Sequence, residues 1–346
     1  FMLYEIKIEF FNREKESEEI KNILRAEPTL ITFIYGPINS GKTELINYLI
    51  KNLPDDYKIF YINLRGRFIK SYEEFLKVLF RVEKSRKYKK DALEIFDVIS
   101  KITLGIPIPK NILEDIFEGD VFYFLEEYFT KLSEKCNPIL IIDELQVIGD
   151  VKIDELLVYK LFNFFIRLTK EKHICHVFAI TSDNLFLERV YSEAMLQGRA
   201  RYLIVDDFSK ETTYEFLSLY NFREDEKEIV WHYCGGKPSY LIELITSKLL
   251  GKNVEDMAKD LLKVRKSQIE EVIYSLEEKD REMYDKIIKI FKAFQDKESV
   301  VYKYLNKEIK FLVRKNILFA SPGDKILKPQ SKLDLLALRS LNLMEE

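Results

Sequence analysis

Cysteine is scarce in this 346-residue chain. Cys136, Cys175 and Cys234 are odd in number and far apart, which argues against a disulfide framework and against a zinc module built on paired thiols. Histidine occurs three times. His173-Ile174-Cys175-His176 has the letters of a metal site, but it has no second ligand group nearby and leads into an apolar run, so it reads as packing. No apolar stretch approaches the roughly 20 residues needed to cross a bilayer. The first apolar run carries Glu5, Lys7 and Glu9, unlike a signal peptide. A cytoplasmic protein in a reducing compartment, with no membrane role, is expected. Excess charge is also lacking: 55 basic against 58 acidic residues leave a net charge of -3, so only local clustering could argue for nucleic acid. No extra acid cluster and no nucleophile with its base stands out, which disfavours a nuclease or protease.

Hydrophobic residues make up 47% of the chain and charged residues 33%, enough for two or three cores at roughly 100 to 200 residues per domain. From residue 29 onward, short apolar runs rich in β-branched residues alternate with segments of helical period, the rhythm of parallel strands joined by crossover helices. Leu30 to Tyr35, Ile59 to Leu64, Ile139 to Ile142, Val177 to Thr181 and Tyr202 to Val205 read as strands. A long helical stretch is expected between the second and third, covering an edge or face of the sheet. It is interrupted at Gly105-Ile106-Pro107-Ile108-Pro109, where two prolines forbid regular helix. After Asp206-Asp207 the strand signal ends, and amphipathic helices punctuated by Gly235-Gly236-Lys237-Pro238 run to about Ser275. Further helical patterns then lead into a hairpin, Ile317 to Ala320 and Lys325 to Lys328, which suggests a winged helix. The expected fold class is α/β: a parallel-sheet core over 1–206, a helical lid over 207–275 and a winged-helix domain over 276–346.

Gly36-Pro37-Ile38-Asn39-Ser40-Gly41-Lys42-Thr43 fits G-x-x-x-x-G-K-[ST], follows an apolar strand and opens a helical run at Glu44. That context is the one phosphate binding needs. Loop and helix N-terminus turn backbone N–H groups toward phosphate oxygens, and glycine permits close approach. Lys42 brings positive charge to the β and γ phosphates, and the Thr43 hydroxyl a ligand for Mg²⁺. A second apolar run ends in Asp143-Glu144, at the strand edge where nucleotide sites of parallel sheets lie. Asp143 is expected to hold magnesium, and Glu144 to orient or deprotonate the attacking water. Gln146 could contact the γ phosphate or brace a neighbouring strand. Thr181 and Ser182, at the next strand tip, are candidate γ-phosphate sensors by position. Arg199 and Arg201, ahead of the last strand, are candidate phosphate or interdomain contacts, although exposed arginines are mostly salt-bridge partners.

On these residues the chain resembles the archaeal ATPases of the P-loop class, within or close to the AAA+ and signal-transducing STAND groups. The resemblance covers nearly the whole chain. Besides the two motifs above, it rests on Phe11-Asn12-Arg13-Glu14-Lys15-Glu16, Leu196-Gln197-Gly198-Arg199, Gly235 to Pro238, Phe311 to Phe319 and Lys328 to Leu333. It implies a core that binds ATP or ADP with Mg²⁺ and hydrolyses ATP, with Phe11, Asn12 and Arg13 near the adenine and Pro238 of the lid against the other side of the base. A nucleotide touching both core and lid would bias one hinge. No basic residue matches the second-sensor arginine of many AAA+ proteins, which favours a slow switch over rapid ring-type turnover.

From Asp285 to Lys332, twelve Lys and Arg stand against five Asp and Glu. In Asn306 to Ile317 the apolar Ile309, Leu312, Val313 and Ile317 share one helical face, and Lys307, Lys310, Arg314 and Lys315 lie mostly away from it. Such a helix could enter a major groove of double-stranded DNA, with Lys325 and Lys328 of the hairpin adding phosphate contacts. Lysines on an outer face are also ordinary solvation, and the alternative is a protein-contact or autoinhibitory module with nucleotide as a latch; DNA contact is slightly favoured. The sequence assigns neither a protein partner nor an oligomeric state.

Overall fold

The computed structural model describes residues 8–67, 69, 71–83, 101–109, 120–150, 155–192 and 196–341. In chain order these form α1 (Glu14–Arg25), β1 (Ile31–Tyr35), α2 (Lys42–Asn52), β2 (Tyr57–Asn63), α3 (Tyr72–Leu79), β3 (Phe80–Glu83), β4 (Ile102–Leu104), β5 (Ile106–Pro109), α4 (Val121–Ser133), β6 (Asn137–Asp143), α5 (Gln146–Asp150), α6 (Glu155–Ile166), β7 (His176–Ile180), α7 (Asn184–Ser192) and β8 (Ala200–Ile204). There follow α8 (Lys210–Ser218), α9 (Glu224–Cys234), α10 (Pro238–Leu249), α11 (Val254–Lys279), α12 (Arg281–Lys292), β9 (Val300–Val301), α13 (Lys307–Arg314), β10 (Leu318–Ser321), β11 (Ile326–Pro329) and α14 (Lys332–Arg339).

Every residue of β1 and of β7 is buried, as strands covered on both faces must be. Successive side chains point to opposite faces, so Phe33 joins the core beneath α4 and α6, while Ile34 joins the one beneath α1 and α2. Six strands pair in parallel in the order β4-β2-β6-β7-β1-β8. The acidic strand β6 is therefore separated from the loop-bearing β1 by β7, and the tip of β7 falls between the two motifs.

The stretch expected to be helical between β2 and β6 departs from expectation. Ile102–Leu104 adds a sixth strand beside β2, and Phe80–Glu83 pairs in parallel with Ile106–Pro109. Proline lacks an N–H donor but accepts a strand at an edge, and alternation with the fully buried Ile106 and Ile108 suits a strand period. The rest of that expectation, at 84–100 and 110–119, lies outside the described residues.

The expected boundary at 275/276 falls inside a helix. Helix α11 runs unbroken for 26 residues; Val254 and Ala258 pack in the lid core, and Ile269 and Ile273 in the C-terminal core. Arg265 of α11 donates from Nε to Asp334 of α14 at 2.6 Å, and Leu333 of α14 lies in the lid core. Lid and C-terminal domain are thus one packed body. The expected hairpin is present as β10 and β11, joined by an unforeseen short strand, β9, into a three-stranded antiparallel sheet.

One segment joins this body to the sheet. The Val205 N–H donates to Tyr35 O at 2.7 Å and the Phe208 N–H to Gly236 O at 2.9 Å. A Cβ on Gly36 would stand 2.1 Å from Val205 O, and one on Gly236 would stand 1.9 Å from Phe208 O. Both glycines are therefore required for the connection to pass between phosphate loop and lid.

Candidate nucleotide site

Strand β1 delivers the phosphate loop, Gly41 (φ +92°) caps α2, and the loop closes around a cavity of about 730 Å³. Lys42 is buried and donates from Nζ to the carbonyls of Gly36 at 3.1 Å and Pro37 at 2.8 Å. Burial, reinforced by the nearby Lys237 ammonium, lowers its pKa to about 8. A phosphate is the acceptor that would draw this ammonium off its own loop.

Across the cavity, the Thr43 hydroxyl donates to Asp143 Oδ2 at 3.0 Å and the Tyr61 hydroxyl to the same oxygen at 2.6 Å. Burial and the Asp143 carboxylate push the Tyr61 pKa up, keeping it a neutral donor. A hydroxyl and a carboxylate oxygen in contact at a phosphate loop form a hard-oxygen donor set that suits Mg²⁺, which keeps several waters and takes its other ligands from phosphates. Among the described residues no group of three or more His, Cys, Asp or Glu gathers as a separate metal site.

Glu144, nearly buried, sits at φ +60°, a region that costs a non-glycine residue strain and is frequent at functional sites. Its carboxylate is fully engaged. Oε1 accepts from Arg65 Nε at 3.0 Å, and Oε2 accepts from Gln146 Nε2 and from Ser182 Oγ at 3.4 Å. The Thr181 hydroxyl in turn donates to Gln146 Oε1 at 2.8 Å. Gln146 therefore braces the neighbouring strand tip and Glu144 together, and the β7 tip is brought to the acid pair.

At the opposite end the walls are apolar: Phe10, Phe11, Phe208, Phe216, Pro238 and Ile242, with Phe11 stacked on Phe216 at 5.1 Å. Phe11 and Pro238 thus face one cavity from core side and lid, suiting a flat base. Asn39, Ser40, Gly41, Thr43 and Glu44 line the same space. Arg13 reaches it too, but its guanidinium is committed, donating to Ser40 O and Asp206 O at 2.7 Å each and lying 4.5 Å from the Phe208 ring. It pins the phosphate loop to the interdomain connection. Asn12 departs from the expected base contact, since its Nδ2 donates to Thr212 of α8 at 3.2 Å.

Arg199 and Arg201 are not brought to the phosphates. Arg201 pairs with Thr32, at the start of β1, and the loop follows the far end of that strand. Of the expected DNA contacts, Lys325 pairs with Glu188 at 2.9 Å, Lys328 with Asp206 at 2.6 Å, and Lys307 with Asp280 at 3.4 Å. Lys315 lies 5.7 Å from the Phe311 ring. Lys310 and Arg314 are exposed and line a cleft against the core.

Three residues that motif spacing did not reveal complete the site. Arg65 follows β2 in a turn without sequence signature. Lys237 is almost fully buried, donates to Ile38 O at 3.0 Å and pairs with Asp207 at 2.9 Å; it sits inside the Gly-Gly-Lys-Pro segment, whose glycines and proline drew the attention. Gln330 accepts from the Ile38 N–H at 3.2 Å and donates to Leu318 O at 3.0 Å.

Residues 10–244 match a family described as an ATPase domain predominantly from Archaea, and residues 255–341 match the C-terminal domain of MJ1010-like uncharacterized ATP-binding proteins. An uncharacterized ATP-binding protein of Methanocaldococcus jannaschii is 49% identical over 351 residues, covering 96% of this chain and 97% of the relative. One from Pyrococcus abyssi is 49% identical over 344 residues, covering 97% and 100%. Among solved structures, the Walker-type ATPase PABY2304 of P. abyssi superposes with a TM-score of 0.65 at 20% identity, over 95% of this chain and 96% of the other. The Aeropyrum pernix ORC2 protein superposes with a TM-score of 0.52 at 13% identity, over 97% and 94%. These two likenesses establish a P-loop NTPase fold. With both segments matched and relatives aligned along nearly their full length, the chain belongs to the archaeal ATPase-domain family of ATP-binding proteins.

Proposed function

We propose that this protein is a Mg·ATP-dependent switch that hydrolyses ATP slowly and in which nucleotide governs whether the C-terminal domain, read as a winged helix, stays on the core or is free to bind duplex DNA. One observation carries the switch: both backbone groups of Ile38, at the tip of the phosphate loop, are held by the lid and C-terminal domain. Lys237 of the lid takes its carbonyl and Gln330 of the C-terminal domain its N–H. A loop reshaped by phosphates changes these bonds, so core–domain contact and nucleotide state share one equilibrium. Within the site, Lys42 and the loop N–H groups would hold the phosphates, and Thr43 and Asp143 would hold Mg²⁺, which neutralises phosphate charge. Glu144 would orient the water once released from Arg65. Slow turnover follows from a carboxylate that starts engaged.

The DNA reading is favoured by what covers the hairpin lysines. Carboxylates of the core, Glu188 and Asp206, meet Lys325 and Lys328 as phosphates would, so core and DNA would compete for the same cations. Duplex DNA should be titrated at several salt concentrations against the ADP-bound protein and the ATP-bound Glu144→Gln variant. Affinity differing between the two states, falling steeply with salt and rising in a Glu188→Gln/Asp206→Asn variant supports the reading. No binding in either state at low salt sinks the DNA part and leaves a protein partner for the same module.

A further inference from the structure

A second cleft, of about 750 Å³, lies between the core and the C-terminal domain, with Gln146 and the first turn of α7 on one wall and Lys310 and Arg314 of α13 on the other. The two cations are four residues apart, hence on one helical face. Unlike Lys307, Lys325 and Lys328, they have no ion pair or hydrogen-bond partner among the described residues. The same lining holds a second irregularity. Asn184, which lines the cleft, is 1% exposed, and both its amide nitrogen and its amide oxygen lack a partner. A buried amide is costly to leave unsatisfied, and such groups in folded proteins usually have a partner.

The carboxylates here are already engaged. Asp183 Oδ1 accepts from the Leu185 and Phe186 N–H groups at 2.8 and 3.2 Å, and Glu188 is paired with Lys325 at 2.9 Å. Hydrogen bonds leave the Asp183 charge in place, so with Glu188 paired the lining carries two cations against one anion, a surplus of one positive charge, and its uncompensated hydrogen-bonding capacity is an amide.

We propose that this cleft is a second anion site taking a phosphate-bearing ligand, with Arg314 and Lys310 on the phosphate and the Asn184 amide on a polar group of the same molecule. Guanidinium and ammonium groups are the side chains suited to phosphate. The site does not depend on the DNA reading. It does bear on catalysis, because Gln146 and Ser182 both line this cleft and both donate to Glu144. A ligand drawing on either would loosen the carboxylate from its present partners.

The test is calorimetry on the full chain in two steps: ADP with Mg²⁺ to one equivalent, which fills the phosphate-loop site, then inorganic pyrophosphate. One further equivalent is expected, weakened about tenfold by Arg314→Ala and by Lys310→Ala, the loss of one charge-assisted contact each. Asn184→Leu should also weaken pyrophosphate binding, yet leave the melting temperature equal or higher, because it removes an unpaired buried amide. A purely structural Asn184 would show the opposite, a lower melting temperature with binding unchanged. Displacement of pyrophosphate by excess ADP would identify a nucleotide, and its absence a free polyphosphate; either upholds the site. No second heat on protein that has taken up ADP, or a second heat indifferent to Arg314→Ala and Asn184→Leu, overturns it. Failure of ADP to bind in the first step instead counts against the phosphate-loop site.

Discussion

Arg65 holds Glu144: the guanidinium donates from Nε to Oε1 at 3.0 Å, and the arginine itself is 70% exposed while the carboxylate is 12% exposed. The cation is thus free to leave and the acid is not. A carboxylate held by a guanidinium is aimed away from incoming water. Arg65→Ala should therefore raise the rate of ATP hydrolysis by a few-fold, read as phosphate release at saturating ATP. An unchanged or reduced rate would show that Arg65 serves turnover rather than restraining it.

The companion substitution acts on the acid. Glu144→Gln keeps the shape and the Gln146 and Ser182 neighbours but cannot take a proton, so turnover should fall on the order of 100-fold, in line with general-base contributions. ATP affinity should stay within a few-fold of the parent. Hydrolysis at the parental rate would remove the assigned role.

Lys42→Ala removes an ammonium whose present acceptors are the carbonyls of its own loop. Loss of a buried charge-assisted contact to a polyanion should weaken ATP binding on the order of 100-fold, measured by calorimetry at fixed Mg²⁺. Affinity within threefold of the parent would place the phosphates elsewhere.

The phosphate loop and acidic strand were legible because each is local: a strand, a turn and a helix N-terminus in unbroken sequence, and a strand ending in two acids. The face of α13 was legible for the same reason, with Ile309, Leu312 and Val313 buried; Ile317 is buried too, but beyond the end of the helix. Arg65, Lys237 and Gln330 were not, because their partners stand 79, 199 and 292 residues away, and no period or spacing encodes such a contact. Ile-Pro-Ile-Pro was read only as a helix break, since proline's missing donor says what a segment is not; the edge that accepts it exists only once β3 is in place. Arg199 and Arg201 misled because nearness to a strand does not say which end of it a side chain occupies.

Gln330 offers a stability measurement that tests the grip on the phosphate loop. Gln330→Leu frees the part-buried Ile38 N–H and leaves the buried Leu318 carbonyl without its partner, at a cost of about 1–3 kcal/mol for the buried group, and should lower the chemical-denaturation midpoint. Gln330→Glu retains an acceptor for Ile38 but turns a second oxygen toward the Leu318 carbonyl, so it should be destabilised less than Leu only as far as the Ile38 bond matters. Equal stability of all three chains would show that these bonds carry no weight.

His176 sets an acid limit on stability far from the nucleotide. It is 7% exposed on β7, and burial, with Arg201 nearby, lowers its pKa to about 4 against hydrogen bonds to the backbone of Ala26 and Leu24. The unfolded chain, with an ordinary imidazole near 6.5, then binds more protons than the folded one between those values. Stability from this group is complete above pH 6.5 and declines as pH falls toward 4, by up to about 3 kcal/mol. Carboxylates lose their own pairings over part of the same range, so the comparison must be with a variant. His176→Gln cannot gain the proton; its unfolding free energy, followed by urea titration from pH 7 to 4.5, should fall less steeply than the parent's. Parallel slopes would mean that the imidazole is protonated in the folded protein without penalty, and that water reaches β7 from the side of α1.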